Sequence, residues 1–200
     1  MKIGYLKNLS RYELEKAADK WQTLYKDEKV SLEPVSYDEI EDKIQNNELD
    51  AVLVNSRHII YQQLATYPVD EVALVALVQA GNFNKYQQTF EVSDLKNLPC
   101  ILVAGVEEEK SEYHYLKDVL QVDSDLLAVE TLGEAVLMVE SGSGYLIMNE
   151  KTAAHIDDDQ VQKLFLLRDG KQLTEEYAFI AKPEDQRVEE LSKILKETIN

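Results

Sequence analysis

Leu49-Asp50-Ala51-Val52-Leu53-Val54 and Glu134-Ala135-Val136-Leu137-Met138-Val139-Glu140-Ser141-Gly142-Ser143-Gly144-Tyr145-Leu146-Ile147-Met148 decide the fold of this chain. Each reads as a helix that turns through polar or glycine residues into a short buried strand. Ala51 to Val54 is apolar at every position, which means burial on both faces, as in a parallel sheet covered by helices. Two such passages, one in each half, predict two open α/β lobes. Open parallel sheets take their ligands beyond the carboxyl ends of the strands.

Outward from the first passage, Lys2 to Leu6 suits a strand, and Leu14, Ala17, Ala18, Trp21 and Tyr25 form one stripe of a helix over Glu13–Lys26. Val30 to Val35 resumes a two-residue period. Ser36-Tyr37-Asp38-Glu39 is a capping box opening a helix that buries Ile40 and Ile44. Residues 56–70 read as polar and irregular, and Val72 to Val78 as a long apolar strand. Around the second passage stand a strand at Cys100 to Ala104, a helix over about Ser111–Leu120 with Tyr113, Leu116 and Leu120 inward, and a strand at Leu126 to Val129. Val161 to Leu167 and Glu176 to Ala181 flank the turn Arg168-Asp169-Gly170, and Pro183 opens a last helix with the stripe Val188, Leu191, Leu195, Ile199. The order predicts two Rossmann-like lobes, 1–75 with 168–200 and 76–167, joined by two crossover strands around a hinged cleft.

The chain is 200 residues long, 44% hydrophobic, with a net charge of −17, which repels phosphate backbones and anionic lipid headgroups. No secretory signal opens it and no stretch approaches the length of a membrane span, so a cytoplasmic location is expected. The single Cys100 lies in an apolar run and reads as a buried small hydrophobe. His58, His114 and His155 show no metal-ligand spacing, and no nucleophile and base stand paired, so neither cofactor, metal site nor enzyme activity is expected.

Four segments resemble the effector-binding domain of LysR-type transcriptional regulators, which shares the periplasmic-binding-protein fold. They are Lys2-Ile3-Gly4, Leu49 to Val54, Val92-Ser93-Asp94-Leu95 with Leu98-Pro99-Cys100-Ile101, and Thr131-Leu132-Gly133-Glu134-Ala135-Val136 through Ile147, in the family's order. Asn149 stands where the family has a proline. The resemblance implies a non-catalytic sensor: a small-molecule effector binds between the lobes and changes a homodimer or tetramer that positions DNA-binding domains. The helix-turn-helix of the family is not in this sequence, so DNA contact is expected only through a domain carried elsewhere. A stand-alone cytosolic solute-binding protein of the same fold is the alternative.

Effector contacts are expected where strand ends and helix starts converge: Lys7, Asn8, Leu9, Ser10, Ser36, Asn55, Ser56, Arg57, Ala104, Thr131 and Leu132. By resemblance, Asn8 and Thr131 occupy positions where the family touches its effector. Ser10, Ser36 and Thr131 read equally as helix caps. Lys7 and Arg57 would suit an organic acid. Glu107-Glu108-Glu109 reads as a solvated loop or as a site for an amine or guanidinium. The resemblance also implies an antiparallel dimer in which the helix over Glu13–Lys26 and the helix over about Ser111–Leu120 each lie beside the opposite lobe of a partner; Leu14, Ala18, Trp21 and Tyr25, on the amphipathic stripe of the first, are the expected interface residues, the alternative being that they face their own sheet.

Overall fold

The computed structural model describes residues 1–6, 11–55, 63–105, 109–156 and 159–199. The chain divides into two compact units, 1–71 with 175–200, and 72–174. It passes between them twice, inside two continuous strands, β4 and β11 below.

Unit 1 is built on the parallel strands β1 (Lys2–Leu6), β2 (Ser31–Val35) and β3 (Ala51–Asn55), in the order β2-β1-β3. The strand β11 (Thr174–Ala181) runs antiparallel beside β3, with Tyr177 opposite Asn55 and Ala181 opposite Ala51. The first part of β4 (Ala65–Gln79) follows β11 in the order. β3 is buried at all five positions, as continuous apolar character demands. Helix α1 (Arg11–Leu24) buries Leu14, Ala17, Ala18 and Trp21 and packs against α6 (Gln186–Ile199), which buries Val188, Leu191, Leu195 and Ile199. The last helix therefore belongs to the first unit. It starts at Gln186 rather than at Pro183, because the Asp185 carboxylate accepts the Arg187 and Val188 N–H groups and supplies the cap. A short helix α2 (Ile40–Gln45) buries Ile40 and Ile44.

Unit 2 holds the parallel strands β6 (Cys100–Val103), β7 (Leu126–Val129) and β8 (Tyr145–Asn149), in the order β8-β6-β7. The second part of β4 runs antiparallel to β8 and to β9 (Val161–Arg168), and β9 also carries β5 (Thr89–Glu91) and β10 (Lys171–Gln172). Alternate side chains separate two cores. Leu74, Ala76, Val78, Cys100, Leu102 and Tyr145 enter one, and Val75, Leu77, Ile101 and Leu146 enter the other with Ala135 and Val139 of α4 (Leu132–Glu140).

Three expectations need correction. Residues 65–70 are not irregular: they form the start of β4, whose half-exposed alternation includes Tyr67 and Pro68. Tyr113 does not face inward; it is 52% exposed, and Tyr115 is buried with Leu116 and Leu120. The helix α3 (Glu109–His114) passes into a π-helical turn at Tyr115–Val119, where Leu120 N–H bonds Tyr115 O, so the face rotates away from the regular 3.6-residue stripe. The last strand also begins earlier than Glu176, taking in Thr174 and Glu175.

Candidate functional site

In unit 1 the carboxyl end of β2 delivers Ser36 and Tyr37, and that of β3 delivers Asn55. The antiparallel register of β11 sets Glu175 beyond Tyr177, and so beyond the end of β3. These segments meet in a hydrogen-bonded chain: Tyr37 Oη–H donates to Asn55 Oδ1, and Asn55 Nδ2 donates to Glu175 Oε2 at 3.0 Å. Asn55 and Glu175 are 6% and 7% exposed. Buried polar groups persist only when hydrogen-bonded, and this chain satisfies both ends of the Asn55 amide.

Ser36 is a cap. Its backbone N–H and its hydroxyl both donate to Glu39 Oε2, at 2.9 and 2.6 Å. Those two bonds, the hydroxyl's foremost, hold the Glu39 carboxyl at about 2, with Lys43 3.5 Å away adding to them.

In unit 2 the ends of β6 and β7 lie side by side, since Ala104 N–H bonds Val129 O at 3.0 Å. Ala104 is buried, so it presents little beyond backbone. Thr131 is exposed and caps α4: its Oγ1 accepts Glu134 N–H at 3.2 Å, and the Glu134 carboxylate receives Thr131 N–H at 3.3 Å. Leu132, the first residue of that helix, is also exposed. At the end of β8, buried Asn149 caps α5 (Glu150–Ala154) by accepting Thr152 N–H at 2.8 Å. It starts the following helix where the family uses proline.

Of the residues expected at an effector, Ser36 and Asn55 lie on the carboxyl edge of unit 1, and Ala104, Thr131 and Leu132 on that of unit 2. Lys7, Asn8, Leu9, Ser10, Ser56 and Arg57 lie outside the described residues. Glu175 was not foreseen, because an acidic residue before an apolar strand reads as a solvated strand start. Tyr37 was visible only as the neighbour of Ser36. Of the expected interface residues, Leu14, Ala18 and Trp21 are buried within the chain's own unit; Tyr25, stacked on Trp21 with ring centres 4.3 Å apart, is 38% exposed.

Cys100 is fully buried, and burial pushes its thiol up to about 12. It is inert, since thiol reactivity needs the thiolate. Among the described residues no group of three or more His, Cys, Asp or Glu could hold a metal ion, and no helix is long and apolar enough to cross a membrane.

Among curated proteins none matches the sequence. Solved structures share the fold. The reduced form of the regulatory domain of OxyR2 from Vibrio vulnificus matches with a TM-score of 0.77 at 14% identity, over 99% of this chain and 94% of that one. The reduced OxyR regulatory domain from Pseudomonas aeruginosa gives 0.75 at 15%, over 100% and 96%. CbnR, a LysR family transcriptional regulator, gives 0.73 at 13%, over 100% of this chain and 70% of that one. The family model of the LysR substrate binding domain matches residues 1–199, and with these parallel-stranded units behind it the conclusion is direct: the chain belongs to the LysR substrate-binding domain family.

Proposed function

We propose that this chain is the ligand-sensing regulatory domain of a LysR-type transcriptional regulator working in the cytoplasm. The carboxyl ends of the parallel strands are the effector-binding edges, with Ser36 and Asn55 on that of unit 1 and Ala104, Thr131 and Leu132 on that of unit 2. The response is a change in the geometry of a homodimer or tetramer, and DNA is reached through a domain outside this chain. The family match over residues 1–199 carries the reading. The Tyr37–Asn55–Glu175 chain, half-buried at Tyr37 and buried at Asn55 and Glu175, supports it, because a hydrogen-bonded polar cluster at a strand end is the construction a binding edge needs.

Self-association belongs to the same proposal. Leu14, Ala18 and Trp21 serve the chain's own core, so of the expected interface residues Tyr25, 38% exposed just past the end of α1, is the one left to a partner. The sensor does no chemistry. Its effector need only prefer one arrangement of the protein by the roughly 1–3 kcal/mol typical of allosteric coupling.

Native mass spectrometry of the purified chain, with and without a metabolite extract, tests the reading by showing bound small molecules and oligomeric state together. A ligand at about a hundred times its Kd stabilises the fold by about 2.7 kcal/mol, so the same extract should raise the thermal midpoint. A spectrum with no bound small molecule and no thermal response to any fraction of the extract overturns the proposal.

A further inference from the structure

Asp169-Gly170 is the only Asp-Gly pair in the chain, and no Asn-Gly pair accompanies it. It forms the two-residue loop between β9 and β10, whose register sets Arg168 opposite Lys171. Both loop residues lie in the left-handed region, with φ +51° and +73°, as a primed hairpin turn requires. Both are exposed, and a Cβ at Gly170 would meet nothing within 4 Å, so water reaches the turn. The Gly170 N–H is nevertheless taken. It donates to Glu91 Oε1 at 2.9 Å, from β5, which lies beside β9 with Glu91 opposite Leu167.

An aspartyl side chain followed by glycine can close on the next backbone nitrogen, because glycine has no Cβ to block the approach. In that step the Gly170 nitrogen gives up its hydrogen as a proton and bonds to Asp169 Cγ, and the hydroxyl of the protonated Asp169 carboxyl leaves with that proton as water. Water then adds to the cyclic imide, giving its hydroxyl to a carbonyl carbon and its proton to the nitrogen. Addition at Cγ restores aspartate. Addition at the former main-chain carbonyl carbon leaves isoaspartate, with the backbone routed through Cβ and Cγ. One water is lost and one gained, and nothing is oxidised or reduced. We propose that Asp169 is the principal isoaspartate-forming aspartate of this protein and that Glu91 is its latch. The nitrogen cannot turn onto Cγ while its hydrogen is held by Glu91 Oε1, and a carboxylate beside it disfavours the amide anion that must attack. Conversion lengthens the turn by one backbone carbon, so the Arg168–Lys171 register no longer fits. Gln172 sits next along β10, and its Nε2 donates to Leu74 O, Leu166 O and Leu173 O at 3.2, 3.0 and 2.9 Å, bonds that the shifted strand gives up.

The experiment ages the purified chain at neutral pH, in buffer and in urea, then digests it and locates isoaspartate by electron-transfer fragmentation, which separates it from aspartate of equal mass. Deamidated asparagines, told apart by their gain in mass, are counted separately. Among the aspartates, isoaspartate should appear first at Asp169 in urea and should form there several-fold more slowly in the folded chain. Glu91→Ala removes the acceptor and should speed conversion several-fold in the folded chain, while leaving the rate in urea unchanged. The urea comparison separates the latch from the intrinsic rate of the pair. If Glu91→Ala does not fold, Glu91→Gln, an uncharged and weaker acceptor, should still age faster than wild type. Folded chain enriched in isoaspartate at Asp169 should melt at a lower temperature than fresh chain. The proposal is overturned if another aspartate converts first, if folded and unfolded chain age alike at Asp169, or if the Glu91 variant that folds ages no faster than wild type. An unchanged melting temperature overturns the loss of register.

Discussion

Ser36 and Glu39 show how one residue pair can be both a helix start and a pH-sensitive bond. The ordinary carboxyl value of 4.5 falls to about 2 in the folded chain, so the pair stabilises the fold above pH 4.5. That contribution fades as pH falls from 4.5 through about 2. The side chain is 45% exposed, which makes the effect small. Denaturation midpoints measured against pH for wild type and Glu39→Gln should differ most above pH 4.5 and converge near pH 2. A difference that does not vary with pH would assign the bond no electrostatic role.

At the scale of elements, the Ser141-Gly142-Ser143-Gly144 connection is a packing device rather than a phosphate cradle. Gly142 ends α4 in the left-handed region, with φ +75°. Gly144 is held for a different reason: a Cβ there would lie 2.6 Å from Pro99 O, a backbone atom that cannot swing away. Gly144→Ala should therefore destabilise the fold by about 1–3 kcal/mol, read from urea midpoints, as overpacking does. An unchanged midpoint would show that the β6 and β8 backbones can part.

Much of this element pattern was legible in the chain. The all-apolar Ala51–Val54 announced a covered strand, and the Ser36/Glu39 spacing announced its capping box. What stayed hidden had physical causes. The start of β4 is half-exposed and contains a proline, which imitates a loop. The π-helical turn at Tyr115–Val119 shifts the buried face by its own geometry, which no 3.6-residue count anticipates. At the candidate site, Asn55 followed from its place at a strand end. Glu175 could not, because only the register of β11 against β3, settled by long-range pairing, carries it there.

For the molecule as a whole, charge is the dominant fact. With −17 over 200 residues, the isolated chain should not bind duplex DNA at physiological salt. Fluorescence anisotropy with a labelled duplex checks this, and micromolar or tighter affinity would refute it.

The division of the chain has a temporal consequence. Unit 2 is continuous, residues 72–174, whereas unit 1 needs both 1–71 and 175–200. A ribosome adds roughly 5–20 residues per second, and domains fold as units as they emerge. Unit 2 can thus close while its predecessor still waits for β11 and α6, the helix that covers α1. Until α6 leaves the exit tunnel, α1 lacks the helix it packs against, and that interval is when chaperones would find this nascent chain.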